Sequence, residues 1–157
     1  MLQINNPGNI RNSPTTYVGE ITPSRHKSFK TFENMFFGYR AMFRLLNTYI
    51  IQHKIETLEK MIERYAPPFE NQTDKYIDFV STRSGIGKNE ILYPNDKRLI
   101  PIVYQMAIME NGIKAMNDYE KTNNISNLRQ VEIGYQLINI KSVEEGMTII
   151  RENNHPD

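Results

Sequence analysis

From Phe36 onward the apolar positions fall into a helical period. Phe36, Tyr39, Met42, Phe43, Leu46, Tyr49 and Ile50 recur every three or four residues, which predicts a helix of about four turns. Leu58, Met61, Ile62 and Tyr65 mark a second helix over 55–65. Ala66-Pro67-Pro68 stops it, because proline excludes α geometry from the residue before it. Tyr76, Ile77, Phe79 and Val80 predict a third, with Thr73 as its cap and Ser84-Gly85-Ile86-Gly87 as its end. The most apolar stretch, 98–110, carries Ile102, Val103, Met106, Ala107 and Met109 and meets a stop signal at Asn111-Gly112. Beyond it the pattern weakens. Asn123-Asn124 reads as a break, and 127–135 and 142–152 read as helices diluted by Gly134 and Gly146.

Residues 1–32 have no such period and are rich in Asn, Pro, Ser, Thr and Gly. Two β-prone runs, 16–21 and 28–32, predict a hairpin or small three-stranded sheet with Pro23-Ser24-Arg25-His26 at its tip. Ahead of them stands Asn5-Asn6-Pro7-Gly8-Asn9-Ile10-Arg11. Pro7 presets φ, Gly8 is expected at the permissive turn position, and Ile10 anchors the first strand. The fold class is therefore α+β, mostly α: a small N-terminal β-hairpin or sheet followed by a helical bundle. One domain is expected over 1–157, with a β-rich segment at 1–32, a helical core at 33–122 and a C-terminal helical extension at 123–157.

Composition narrows the function. There is no cysteine, which removes disulfides, thiolate metal sites and a cysteine nucleophile. A net charge of +1 gives nucleic-acid binding no bulk electrostatic support. No apolar run reaches the roughly 18 residues of a membrane helix, so no membrane insertion is expected. The start lacks the basic and apolar regions of a signal peptide, so a soluble protein is expected. His26, His53 and His155 share no ligand spacing, and neither a metal nor a cofactor is expected. Gly85-Ile86-Gly87-Lys88 lacks the glycine spacing and the Ser/Thr of a phosphate loop.

Three places remain where chemistry could reside. Glu110 closes the most apolar helix. Burial and the negative helix end would both favour its protonated form, which suits a general acid. It could equally be an exposed last-turn residue before a helix-ending glycine. Glu20, in Val18-Gly19-Glu20-Ile21, is either a second carboxylate across a cleft or an outward-facing strand residue. The loop from Tyr65 to Thr73 pairs aromatic rings and prolines with Asn71 and Gln72. It is either a shelf for a saccharide or a plain connection between helices.

The order "NNPGNIR", "YVGE", "SFKTFENMFFGYRAM", "LLNTYI", "IERYAPPFENQTDKYIDFVSTRSG", "YQMAIMENG", over about residues 4–116, resembles a family of phage and prophage proteins. These are labelled structural or virion proteins and are linked to lysozyme-like lytic enzymes. Met109-Glu110-Asn111-Gly112 also looks like the acid/base segment of soluble lytic transglycosylases, and Asn6 to Arg11 is similar to a hairpin-opening stretch of glucosaminidases. Here that stretch precedes the glutamate, so the resemblance implies a lysozyme-like fold in circularly rearranged order. It implies cleavage of the glycan between N-acetylmuramic acid and N-acetylglucosamine, as a muramidase or lytic transglycosylase. Glu110 would be the acid/base and Glu20 a second carboxylate. Asn6, Asn9, Arg11, Tyr65, Asn71 and Asn111 would bind saccharide. The implied partners are peptidoglycan strands and other virion proteins. The alternative on the same fold is a non-catalytic virion component or glycan-binding module.

Overall fold

A computed structural model describes residues 1–153, so His155 lies outside the described residues. Its centre is α1 (Met35–His53). Asn34 starts this helix by accepting a hydrogen bond from the Phe37 amide at 3.1 Å, the usual device for an orphan N-terminal donor. Phe37, Tyr39, Ala41, Met42, Phe43 and Leu46 are all buried. Burial thus runs round most of the helix rather than along one stripe, and other elements cover it on several sides.

The remaining helices are α2 (Leu58–Tyr65), α3 (Thr73–Ser84), α4 (Leu99–Asn111), α5 (Ile113–Asn123), α6 (Asn127–Gln136) and α7 (Val143–Asn153). α3 packs on α2 and α4, and α6 packs along α1. Gly134 allows that last approach. A Cβ there would lie 2.7 Å from Tyr39 Cβ and 3.1 Å from the Arg40 backbone nitrogen. Gly134 and Gly146 therefore mark close packing and not helix weakness. α5 is the helix that periodicity misses. Met116 is its one buried residue, so it carries too little apolar signal to be read. Thr73 is the first residue of α3 and not its cap; its hydroxyl donates to Ala66 O at 2.5 Å and so fastens the loop before the helix. None of the described helices is long and apolar enough to cross a membrane.

The sheet is smaller than its β-prone runs suggest. β1 (Glu20–Ile21) and β2 (Thr31–Phe32) pair antiparallel, Glu20 opposite Phe32 and Ile21 opposite Thr31. An isolated bridge joins Arg11 to Phe29. Side chains bind the intervening backbone instead. Thr31 Oγ1 accepts from the Arg25 amide at 3.0 Å, and His26 Nδ1 accepts from the Ser28 and Phe29 amides at 3.0 and 3.2 Å. Such local bonds compete with a ladder and keep it short.

The N-terminal segment lies directly on α1 at Gly38. A Cβ on Gly38 would run into Asn5 O and come within 2.7 Å of Pro7 Cδ. Gly38→Ala is expected to lower stability by about 2–3 kcal/mol, as overpacking against backbone does. Urea unfolding measures it.

Candidate functional site

Two asparagines shape the NPGNI turn. Asn5 and Asn9 take the left-handed conformation, at φ 57° and 51°, which asparagine tolerates better than most residues. Gly8 is not among the positive-φ residues. It is a glycine for lack of room: a Cβ would meet the Tyr65 hydroxyl and sit 2.8 Å from Met42 Cγ. Asn6 is fully buried. Its amide nitrogen donates to Ile10 O at 2.9 Å and Lys30 O at 2.8 Å, and its oxygen accepts from the Ile10 amide at 2.9 Å. Asn6 thus cross-links the turn to the hairpin and is closed off from solvent, away from the saccharide contact expected of it.

The turn is tied to the end of α4, about a hundred residues on. Asn111 Nδ2 donates to Pro7 O at 2.7 Å and to Ala107 O at 2.8 Å. Asn111 therefore acts as a tether, with both amide hydrogens engaged by protein carbonyls. Beside it, Glu110 Oε1 accepts from Asn9 Nδ2 at 2.9 Å and Oε2 accepts from the Tyr76 hydroxyl at 2.9 Å. Tyr65 donates from its hydroxyl to Gly8 O. One carboxyl is thereby held by the N-terminal turn on one side and α3 on the other.

Glu110 borders a cavity of about 200 Å³ that Asn9, Arg11, Phe29, Tyr65, Glu70 and Asn71 also line. A second hollow of about 250 Å³ is lined by Asn9, Glu110 and Asn111 together with Met1 to Gln3. Asn9, Arg11, Tyr65, Asn71 and Glu110 are thus brought together around one cavity. Phe69, on the same loop as Asn71, is 83% exposed.

Burial raises the Glu110 carboxyl above the ordinary glutamate value. The hydrogen bonds from Asn9 and Tyr76, and the charges of the Met1 amine and Arg11, pull the other way without cancelling it. Burial and the neighbouring Glu110 charge push Tyr76 well above its ordinary value, so its hydroxyl stays a donor. Because the native state holds the Glu110 proton more tightly than the unfolded chain does, its contribution to stability is full below the unfolded glutamate value. That contribution is lost as pH rises through the folded one. Glu110→Gln should therefore flatten the fall in stability with rising pH across the weakly acidic range, read by thermal melts at stepped pH.

Glu20 does not line this cavity. Its Oε2 accepts from Lys30 Nζ at 3.0 Å, and the two side chains are 5% and 1% exposed. Its Oε1 accepts from the Tyr17 amide at 3.1 Å. The reason is electrostatic: Lys30, inside the hairpin, needs a carboxylate. Glu20 is neither a second carboxylate facing Glu110 nor an outward strand residue. Glu70, which lines the cavity with Glu110, stands 3.5 Å from Arg11 Nη2. Glu70, Tyr76 and Phe29 are the residues that motif reading passes over. Tyr76 carried a signal, because a tyrosine on an apolar helix stripe needs a partner for its hydroxyl.

No family model matches the chain. Over 114 residues it is 36% identical to Protein P5 of Pseudoalteromonas phage PM2, a match covering 71% of this chain and 70% of that protein. The chain belongs to the Protein P5 family. The family setting is a phage, as the NNPGNIR-to-MENG series implied, and this member carries a cleft built around one half-buried glutamate.

Proposed function

We propose that this Protein P5 relative is a component of a phage or prophage particle that engages cell-wall glycan through the Glu110 cleft. The observation that carries the reading is the convergence of Asn9, Arg11, Tyr65, Asn71 and Glu110 on one polar cavity. Amides and a guanidinium bond sugar hydroxyls, and ring faces cover sugar rings. The phage family supports the particle setting, with other particle proteins as neighbours.

A second reading goes further, favoured by the raised Glu110 carboxyl. A carboxyl that holds its proton to higher pH than an ordinary glutamate can give it to a glycosidic oxygen and then act as base. On this reading the protein cleaves between N-acetylmuramic acid and N-acetylglucosamine in a lysozyme-like, circularly rearranged domain. With Glu20 bound to Lys30, attack by the muramyl 6-hydroxyl fits a lytic transglycosylase better than a two-carboxylate hydrolase.

Incubation with purified sacculi tests both. Binding is expected by co-sedimentation. Release of muropeptides with anhydro ends would establish the transglycosylase. Retention without release leaves the binding component, and no retention at all ends the glycan reading.

A further inference from the structure

A second site lies along the same face. Arg40 and Arg44 stand four apart on α1, an arrangement in which like charges repel. Arg40 is 4% exposed. Its Nε donates to Leu137 O at 2.9 Å, and its Nη2 to Ile138 O and Ile140 O at 3.2 and 3.3 Å. Among the described residues, Nη1 makes no hydrogen bond and neither guanidinium has a carboxylate partner. Glu20, reached through Tyr17, is already paired with Lys30. Burial and the neighbouring Arg44 lower Arg40 to about 10, so it remains charged at neutral pH. A buried cation with carbonyl partners alone retains a large unmet electrostatic demand.

Both arginines open onto a cavity of about 540 Å³, lined also by Thr15, Thr16, Tyr17 and Thr48. A hollow of about 250 Å³ lies between this cavity and the Glu110 cleft. It shares Ser13, Tyr17 and Leu45 with the arginine end, and Asn9, Arg11 and Tyr65 with the glutamate end. The three neighbouring hollows thus form a grooved face with an acid at one end and two unpaired cations and a row of hydroxyls at the other.

We propose that Arg40 and Arg44 form a carboxylate-binding subsite at the far end of this groove, taking the acidic peptide branch carried by cell-wall glycan. The subsite follows from the geometry alone; its assignment to the peptide branch rests on the glycan reading above. Paired guanidinium groups bind carboxylates through charge-assisted hydrogen bonds, and hydroxyls complete the shell.

Two measurements decide it. The first follows the Arg40 side-chain NH resonances during titration with acetate at constant ionic strength. A saturable shift in the wild-type protein, lost in Arg44→Met, is expected; Arg44 is exposed, so this variant keeps its fold. No saturation, or saturation unchanged in Arg44→Met, overturns the subsite. The second compares glycan strands carrying stem peptides with strands stripped of them by an amidase. Peptide-bearing strands should bind about tenfold more tightly to wild type, and Arg44→Met should abolish that difference. Equal binding of both strands by wild type overturns the peptide assignment. If neither strand binds, the glycan reading and the peptide assignment fall together, while the acetate titration still decides the subsite.

Discussion

Glu110→Gln is expected to abolish muropeptide release from purified sacculi, by about 100-fold or more, with the fold and glycan retention intact. Glutamine occupies the same volume and keeps an oxygen for Asn9 Nδ2 or the Tyr76 hydroxyl, both now at 2.9 Å from the carboxyl. What it cannot do is give and take a proton. Circular dichroism and co-sedimentation run beside the release assay separate loss of chemistry from loss of structure. Tyr76→Phe serves as the contrast. It removes one bond that opposes the raised Glu110 value, so the alkaline limb of any pH–rate profile, where the acid loses its proton, should move to higher pH with a far smaller loss of rate. Release by Glu110→Gln at the wild-type rate would end the catalytic reading and leave the binding one.

The second large effect lies in the hairpin. Lys30→Met is expected to cost about 3–5 kcal/mol, because it strands the Glu20 carboxylate in the interior. Lys30 Nζ also donates to Thr15 O at 2.7 Å and Ser13 O at 3.3 Å, so those carbonyls lose their partner as well. The double variant Glu20→Gln/Lys30→Met should be less destabilised than the sum of the two single changes. Urea unfolding of the four proteins gives the coupling directly. The same series settles the role of Glu20. A second catalytic carboxylate would lose activity at unchanged stability, whereas a partner of Lys30 loses stability first.

The helices were legible where one face is buried, as with Leu58, Met61 and Ile62 on α2, since apolar period is a direct trace of burial. α5 was not, because a helix that buries Met116 alone leaves no such trace. The site divided along a similar line. Glu110, Asn9, Tyr65 and Asn71 could be picked out as polar or aromatic residues at turns and helix ends, where side chains reach a cleft. Glu20 and Asn6 could not be placed, because the difference between facing a cavity and facing Lys30 or Ile10 is a matter of tertiary contact. Local sequence does not hold it. Arg40 is the same case in reverse: its alignment with Arg44 is visible at spacing four, but the absence of any acid opposite becomes visible only once α6 and the segment after it are in place.

The bond from Asn9 to Glu110 spans 101 residues of chain. At 5–20 residues per second of synthesis, the turn waits roughly 5–20 s on the ribosome before α4 exists for it to meet. Until then the turn has no carboxyl to hold, and no cleft has formed. A nascent chain still short of α4 therefore lacks the cleft, and forms it only when the end of α4 meets the turn.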